Sequence, residues 1–592
     1  MNKKNLILLY LLSVLLSFSC SGDKHPVELS LRIVMTSDVH GLLFPYDLTN
    51  DVPAEGSLSR VHSYVSYLRE NEDHEVLLLD NGDILQGQPV VYYYNFEKSD
   101  QDHIIPAVMN YMGYNAATMG NHDIEAGHFV YDKVVDESAF PWLAANIVHA
   151  GTSTPYFEPY TIFDIKGFKV AVLGLITPMV PEWLPETLWE GMEFTEMVSE
   201  AERWMGILRA KEEPDLIIGL FHEGYGDVYK DEESGQTVYE SGSAMVASLV
   251  EGFDIVMTGH DHRFWNKKIS GPGSDSVLII GPGSHARNVA DVRVGIYFDP
   301  DKNEYIKEIT SDIVSMSDFE PDQGFMDLFN AHFSEVKDYV SRKTGEFSAT
   351  VSSRESLFGS SAFVDIVHEL QLELTGADIS FAAPLSYNAV IEKGDIMVRD
   401  MFNLYRFENY LYVMELTGNE IEGFLEYSYG NWFNQMKNKD DFLLRYRTDS
   451  SGDVMILDDG GRYSLAEPAF NFDSAAGIDY TVDVSRPAGE RISIISMSNG
   501  NPFYSEKKYK VAINSYRGSG GGGHLEHGAG LPRSDFAERI FSTTERDLRH
   551  YLMQMIEEKG VIDPKPLNNW HIVPAEWHGE AQEREMKRLF ND

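Results

Sequence analysis

"LSLRIVMTSDVHG" at residues 29–41 places apolar side chains at Leu29, Leu31, Ile33 and Met35, then breaks into a polar D-x-H-G. Alternation of this kind marks a half-buried strand, and the sudden change to Asp, His and Gly marks its end. The same scheme recurs along the chain. "EVLLLDNGDILQG" (75–87), "AATMGNHD" (116–123), "KVAVLGLITP" (169–178), "DLIIGLFHEG" (215–224), "DIVMTGHDH" (254–262) and "VLIIGPGSH" (277–285) each run an apolar strand into a polar turn. Helically spaced segments such as "SLSRVHSYVSYLRE" (57–70) and "DHIIPAVMNYMGYN" (102–115) separate them. Strands alternating with helices predict an α/β fold with a layered sheet. In such folds ligands gather beyond the carboxyl ends of the strands, so these polar turns are expected along one edge.

The turns carry a donor inventory. Asp38 and His40 form a D-x-H pair, read as sharing one face of a strand end. Asp83 follows a glycine, Asn121 offers a neutral oxygen, His222 ends a strand, and His260 and His262 form a second alternating pair. Two carboxylates, one amide and four imidazoles suit two divalent cations of the Zn, Mn or Fe type better than Mg or Ca. Any one of these pairs is commonplace. Five such pieces, in order and all at strand ends, point to a dinuclear metal centre.

Composition narrows the partners. The 592 residues exceed what one core supports, so at least two domains are expected. Lys plus Arg number 48 against 93 Asp plus Glu, a net charge of −45, which repels polymeric nucleic acid. A small anionic substrate fits only where local positive charge receives it. The single cysteine, Cys20, excludes a disulfide framework and a cysteine-rich zinc site. It closes "LSFSC", after Lys3, Lys4 and an apolar run from Leu6 to Leu16, the pattern of a secretory signal. The ending resembles a bacterial lipoprotein cleavage site, with lipid on Cys20. The expectation is a lipid-anchored protein of the cell envelope, facing away from the cytoplasm. An ordinary signal peptide with an incidental Cys is the plainer alternative.

The order D-x-H-G, G-D-x-x-x-G, G-N-H-[DE], H-x-G and G-H-x-H resembles the calcineurin-like metallophosphoesterases. More narrowly, the whole chain after the signal is similar to the 5′-nucleotidase / 2′,3′-cyclic-nucleotide phosphodiesterase family. The resemblance implies that Asp38, His40, Asp83 and His262 hold one metal. It implies that Asp83, Asn121, His222 and His260 hold the other, with Asp83 bridging. Two divalent cations against two carboxylates leave such a site net positive in a very acidic protein. In the family the histidine at His122 stabilises the transition state or protonates the leaving group, helped by an acid three residues on. Here that acid is Glu125, for which a solvated loop residue is the competing reading. Asp123 is read as a loop brace.

The resemblance also sets domain expectations: a signal peptide at 1–19, a spacer at 20–28, a catalytic domain at 29–318, a linking helix at 319–346 and a substrate-binding domain at 347–592. The family's 5′-nucleotidases carry Asn-Gly-Gly-x-Arg early in the second domain, where this chain has "FAAPLSYNAVIEKGDI" (381–396). "NLYRFENYLYVMELTG" (403–418) and "INSYRGSGGGG" (513–523) look more like the cyclic-phosphodiesterase / 3′-nucleotidase branch. Phe470 and Tyr516 match the two aromatics between which the family stacks the base, with core packing as the alternative, and Arg517 stands beside Tyr516. "RGSGGGGH" (517–524) lacks the spacing and the lysine of a phosphate loop. His285 is open between a phosphate contact and a structural hydrogen bond.

The expected activity is hydrolysis of extracytoplasmic nucleotides by a monomer, favouring 2′,3′-cyclic and 3′-nucleotides. A 5′-nucleotidase or UDP-sugar hydrolase is the nearest alternative, and a non-catalytic surface binding lipoprotein the other.

Overall fold

The computed structural model describes residues 28–590 apart from 72, 227, 231–236, 240–241, 273–275, 450 and 457–461. The signal-like segment and Cys20 lie outside the described residues. Among the described residues no helix is long and apolar enough to cross a membrane.

Twelve strands build two stacked sheets. They are β1 (Leu29–Thr36), β2 (Glu75–Asp80), β3 (Ala116–Thr118), β4 (Trp142–Leu143), β5 (Tyr160–Ile165), β6 (Phe168–Ile176), β7 (Leu216–His222), β8 (Ile255–Thr258), β9 (Phe264–Ser270), β10 (Ser276–Pro282), β11 (Asn288–Asp299) and β12 (Glu304–Ser315). The first sheet has the order β12-β11-β1-β2-β3-β4 and the second β9-β10-β8-β7-β6-β5. Pairing is parallel from β1 through β4 and from β6 through β8 to β10, and antiparallel at the outer strands.

The alternation in "LSLRIVMT" has a direct consequence. Leu29, Leu31, Ile33 and Met35 point into the layer between the sheets, against Val170, Val172, Ile218, Leu220 and Met257. Val34 points the other way, into a core shared with Leu58, Val61, Val65, Val108 and Met109 of the covering helices. On the far face of the second sheet, Met197, Ala201, Trp204, Met205 and Leu208 of the helix Met197–Lys211 cover Leu173, Ile217 and Val256. The result is four layers, helix–sheet–sheet–helix, each apolar face buried against another.

The expected linking helix is shorter than 319–346: it spans Gln323–Val340. Asp322 caps it, with Oδ1 accepting from the Phe325 N–H at 2.7 Å. Phe325, Phe329, Val336 and Val340 are buried in the first domain's helical core, so the helix is part of that unit. Residues Lys343–Phe347 already form a strand with Gly394–Met397 and Val561–Ile562. Its position in a sheet of the second unit ends the helix, because a chain cannot satisfy ladder and helix hydrogen bonds at once.

Five strands make the second unit's main sheet: β13 (Ile379–Ala382), β14 (Leu411–Thr417), β15 (Ser474–Ala476), β16 (Lys508–Asn514) and β17 (Ile540–Thr543), in the order β15-β13-β16-β14-β17. The helix Gly418–Trp432 packs on it through Ile421, Phe424 and Leu425, with Phe424 stacked on Phe381 at 4.0 Å. Thr417 and Glu420 close a reciprocal cap at its start.

Candidate metal centre

The carboxyl ends of β1, β2, β3, β7 and β8 converge, and the polar turns meet there. Asp38 and His40 do not share a strand face, as alternation predicts they should. The strand stops at Thr36, and both residues adopt left-handed backbone, φ 51° and 49°. His260 and His262 do the same beyond β8, φ 65° and 57°, as does Asp83 at 59°. This conformation is unfavourable for non-glycine residues, so its concentration on five of seven candidate ligands marks a site held by its surroundings. Tight turns, and not pleat, aim these side chains. Gly120 makes one turn possible: a Cβ there would lie 2.1 Å from Oδ1 of Asp83.

Two donor clusters result, Asp38–His40–His262 and Asp83–His222–His260, with the donor atoms of each within 4.8 Å of one another. In the first, His40 Nε2 lies 3.1 Å from His262 Nε2, which is 3.3 Å from Asp38 Oδ1. In the second, Asp83 Oδ2 lies 3.1 Å from His222 Nε2. Asn121 Oδ1 joins it, 3.2 Å from His222 Nε2 and 2.9 Å from His260 Nδ1. Donors about 2.0–2.1 Å from one cation stand ~3.0–3.4 Å apart, so these separations fit ions of that size. The donor set therefore fits divalent metal ions.

The supporting contacts fix ring orientation. His40 Nδ1 lies 3.0 Å from the Gln86 carbonyl and His222 Nδ1 2.6 Å from that of Asn81, leaving Nε2 for the metal. His260 has its ring stacked on Trp183, centroids 5.5 Å apart and planes 14° apart. Asp123 accepts from the backbone N–H groups of Asp83, Ile84, Leu85 and Gly120 at 2.8–2.9 Å, tying two ligand turns together.

Electrostatics couple the groups. Burial disfavours charge on Asp83, but His222, His122 and His40 hold its carboxyl well below the usual range. Burial likewise opposes protonation of His222, yet the adjacent Asp83 raises it to about 10. A cation must compete with that proton for Nε2, which makes loading pH-dependent.

His122 stands beside the clusters, at the start of the short helix Asn121–Glu125. Its N–H donates to Asp83 Oδ1 at 2.8 Å, and Nδ1 lies 2.5 Å from Glu125 Oε2. Glu125 is only 7% exposed, so the solvated-loop reading does not hold. Against the cost of burial, Asp83 and Glu125 raise His122 to about 9. His285 bonds Ser284 Oγ through Nδ1 at 2.8 Å and stands 5.5 Å from the His40 ring.

The residues expected at the substrate lie on the second unit. Phe470 and Tyr516 are both half-buried. The Phe470 ring meets Phe407 edge-on at 5.9 Å. Arg517 is a correction. It is 1% exposed and gives its guanidinium to Asp473 at 2.6 Å and to the carbonyls of Phe470 at 2.9 Å and Gly521 at 2.6 Å. It is an internal brace between the Phe470 turn and the Tyr516 loop, and not a substrate contact. The glycine run packs around it: a Cβ on Gly521 would strike the Tyr516 ring and one on Gly522 the Arg517 guanidinium. Sequence reasoning misses Phe407 and Trp183. Neither belongs to a spaced motif, and both are placed by chain segments remote from their partners.

Comparison with known proteins agrees with this geometry. Residues 31–264 match the model of the calcineurin-like phosphoesterases, and residues 340–527 that of the 5′-nucleotidase C-terminal domain. The chain is 26% identical over 611 residues to the trifunctional nucleotide phosphoesterase protein YfkN of Bacillus subtilis, covering 93% of this chain but only 39% of that longer protein. It is 25% identical to the 2′,3′-cyclic-nucleotide 2′-phosphodiesterase/3′-nucleotidase of Haemophilus influenzae, covering 97% of this chain and 92% of the relative. The fold matches the structure of a 5′-nucleotidase precursor from Thermus thermophilus with a TM-score of 0.62 at 20% identity, over 92% of this chain and 99% of that one. With both models matched in order around one two-cluster centre, residues 31–264 carry a calcineurin-like phosphoesterase domain and residues 340–527 a 5′-nucleotidase C-terminal domain, and the chain is a phosphoester-hydrolysing enzyme.

Proposed function

We propose that the protein hydrolyses phosphoesters of nucleotides outside the cytoplasm, with 2′,3′-cyclic nucleotides and 3′-nucleotides preferred. The observation that carries this is the juxtaposition of two metal-donor clusters with the His122–Glu125 pair. The relatives named as cyclic-nucleotide phosphodiesterases and 3′-nucleotidases support the substrate class.

Asp38, His40, Asp83 and His262 would hold one divalent ion, and Asp83, Asn121, His222 and His260 the other, of the Zn, Mn or Fe type. Bound ions of this kind lower the pKa of water and polarise phosphoryl oxygens. The chain's own part is positional. Asn121 gives an uncharged oxygen, and the left-handed turns fix the donors before substrate arrives. His122, held through Nδ1 by Glu125, would donate from Nε2 to the alcohol oxygen as its bond to phosphorus breaks. Phe470 and Tyr516 present aromatic faces for the base, which stacks with little regard to its identity. Lipid on Cys20 would hold a monomer at the envelope, where nucleotides from outside are met.

Phosphate release from a panel of 2′,3′-cyclic, 3′- and 5′-nucleotides and UDP-glucose tests the reading. Preference for the first two groups is expected. Turnover confined to 5′-nucleotides or UDP-glucose would overturn the preference, and metal-loaded protein inert on all of them would overturn the nucleotidase reading. Labelling with a radioactive fatty acid that survives in Cys20→Ser would remove the anchor.

A further inference from the structure

A histidine that ligates a metal is oriented best when its other ring nitrogen is also bonded, because the second bond fixes the plane of the ring. His40 and His222 meet that condition through the carbonyls of Gln86 and Asn81. His260 does not. Its Nδ1 faces Asn121 Oδ1 at 2.9 Å, and its Nε2 has no hydrogen bond among the described residues. Its backbone is fixed, with the N–H 3.1 Å from each carboxylate oxygen of Asp38. The orientation of its ring is left to packing.

That packing is Trp183. The two rings lie 14° from parallel, with centroids 5.5 Å apart. Trp183 ends the helix Val180–Trp183 beyond β6, whereas His260 stands beyond β8. Val180 is buried in the first unit's helical core, and Trp183 packs against that core while only partly buried. The helix has four residues, a single turn, and a single turn has little rigidity of its own.

The second unit supplies the rest. Its turn Ser515–Gly518, which carries Tyr516, lies alongside Val180–Trp183. Glu182, next to Trp183, forms an ion pair with Nη1 of Arg533 from the second unit. Arg533 is itself oriented by Glu526, whose Oε2 accepts from Nε at 2.8 Å. A partly exposed pair adds little to stability. A guanidinium shared between two carboxylates nonetheless fixes where Glu182, and so the helix end, can sit. Arg533, Glu182, Trp183 and His260 make an unbroken run of contacts from one unit to the cation donors of the other.

We propose that Trp183 is a positioning residue for His260, and that Arg533 and the Ser515–Gly518 turn hold it in place from the second unit. Docking of the second unit thereby tightens one of the two cation sites and leaves the other as it was. The inference rests on the reading of Asp83, Asn121, His222 and His260 as donors to one cation.

Co(II) is the probe, titrated into the metal-free full-length protein and followed by visible absorption, which reports ligand geometry. Wild-type protein should take up two equivalents. Trp183→Leu should weaken one of them about tenfold, the size of effect expected when a ligand's support is lost. The absorption band of that equivalent should shift, while the affinity of the other stays unchanged and shows that the fold is intact. Trp183→Phe should recover most of the loss, since a smaller ring still stacks. Arg533→Gln and Glu182→Gln should each weaken the same equivalent by up to about fivefold, and the double variant no more than either alone. Wild-type uptake of both equivalents by Trp183→Leu overturns the positioning role. So does an equal loss of both equivalents, or a Trp183→Phe variant no better than Trp183→Leu. Unchanged binding in Arg533→Gln and Glu182→Gln overturns the link to the second unit. Wild-type protein that takes up fewer than two equivalents would sink the dinuclear reading itself, a separate result.

Discussion

His122 and Glu125 are joined through Nδ1 and Oε2 at 2.5 Å, one helical turn apart, with the carboxylate shut away from solvent. The glutamate fixes the imidazole's rotation through Nδ1, and Nε2 is the atom that would face substrate in the proposed function. His122→Ala should lower kcat by about two to four orders of magnitude with both metals retained by elemental analysis. Glu125→Gln should cost less, about tenfold, because a neutral acceptor still orients the ring. Loss of metal from His122→Ala would instead make this histidine a ligand.

The donor geometry separates three kinds of ligand substitution. Asp83→Ala should empty both sites if the carboxylate bridges. His40→Ala should cost one equivalent and His260→Ala the other, each leaving its neighbour loaded. Metal stoichiometry after gel filtration reads this directly, and a single lost equivalent in Asp83→Ala would argue against the bridge.

Arg517 is a stability residue. Its replacement by Met leaves Asp473 buried without its cation, at 1% exposure. Breaking a buried pair on one side costs about 3–5 kcal/mol. Urea unfolding should show that loss, and Arg517→Met with Asp473→Asn should recover much of it.

Removing both Phe470 and Tyr516 rings should raise KM for nucleotides far more than for p-nitrophenyl phosphate. Stacking contributes about 1–3 kcal/mol per base, or roughly tenfold or more in affinity. Equal effects on both substrates would return the two rings to the core. Replacing Arg517 by Met should show the same selectivity in milder form, since it holds the Phe470 turn to the Tyr516 loop.

Buried neutral histidines set an acid limit on stability. Burial pushes His368 down to about 3 while its two nitrogens bond Ser380 and Ser474. His103 is also pushed down to about 3, by burial and then by Lys133. In the unfolded chain each takes a proton below its ordinary value of about 6.5. The folded chain refuses that proton until about pH 3. The contribution of these two histidines to stability is therefore complete above about pH 6.5 and falls as pH drops through the window from about 6.5 to about 3, at up to about 1.4 kcal/mol per pH unit for each. Urea midpoints on either side of the upper limit check the sign, and His368→Gln should flatten the slope.

Much of the catalytic unit is legible because its signals are short-range. Two-residue alternation in "LSLRIVMT" fixes which face each side chain takes, and a glycine beside an aspartate or asparagine announces a turn. That is why the seven donors can be named from strand ends alone. The shared strand face expected for Asp38 and His40 is nevertheless wrong, since both are left-handed turn residues. Residue type survives that error, because a turn and a pleat can deliver the same atoms to one point.

The sequence by itself determined the layered α/β unit, the donor inventory and the order in which the donors arrive, all properties of neighbours within a few residues. Only the tertiary structure decided that Glu125 is enclosed against His122 and that Arg517 is consumed inside the second unit. It alone stacked Trp183 on His260 across 77 positions of the chain. An isolated arginine reads identically whether it faces solvent, a buried aspartate or an open cleft. Burial and pairing depend on what distant segments bring to it, and that is settled by packing and not by local spacing.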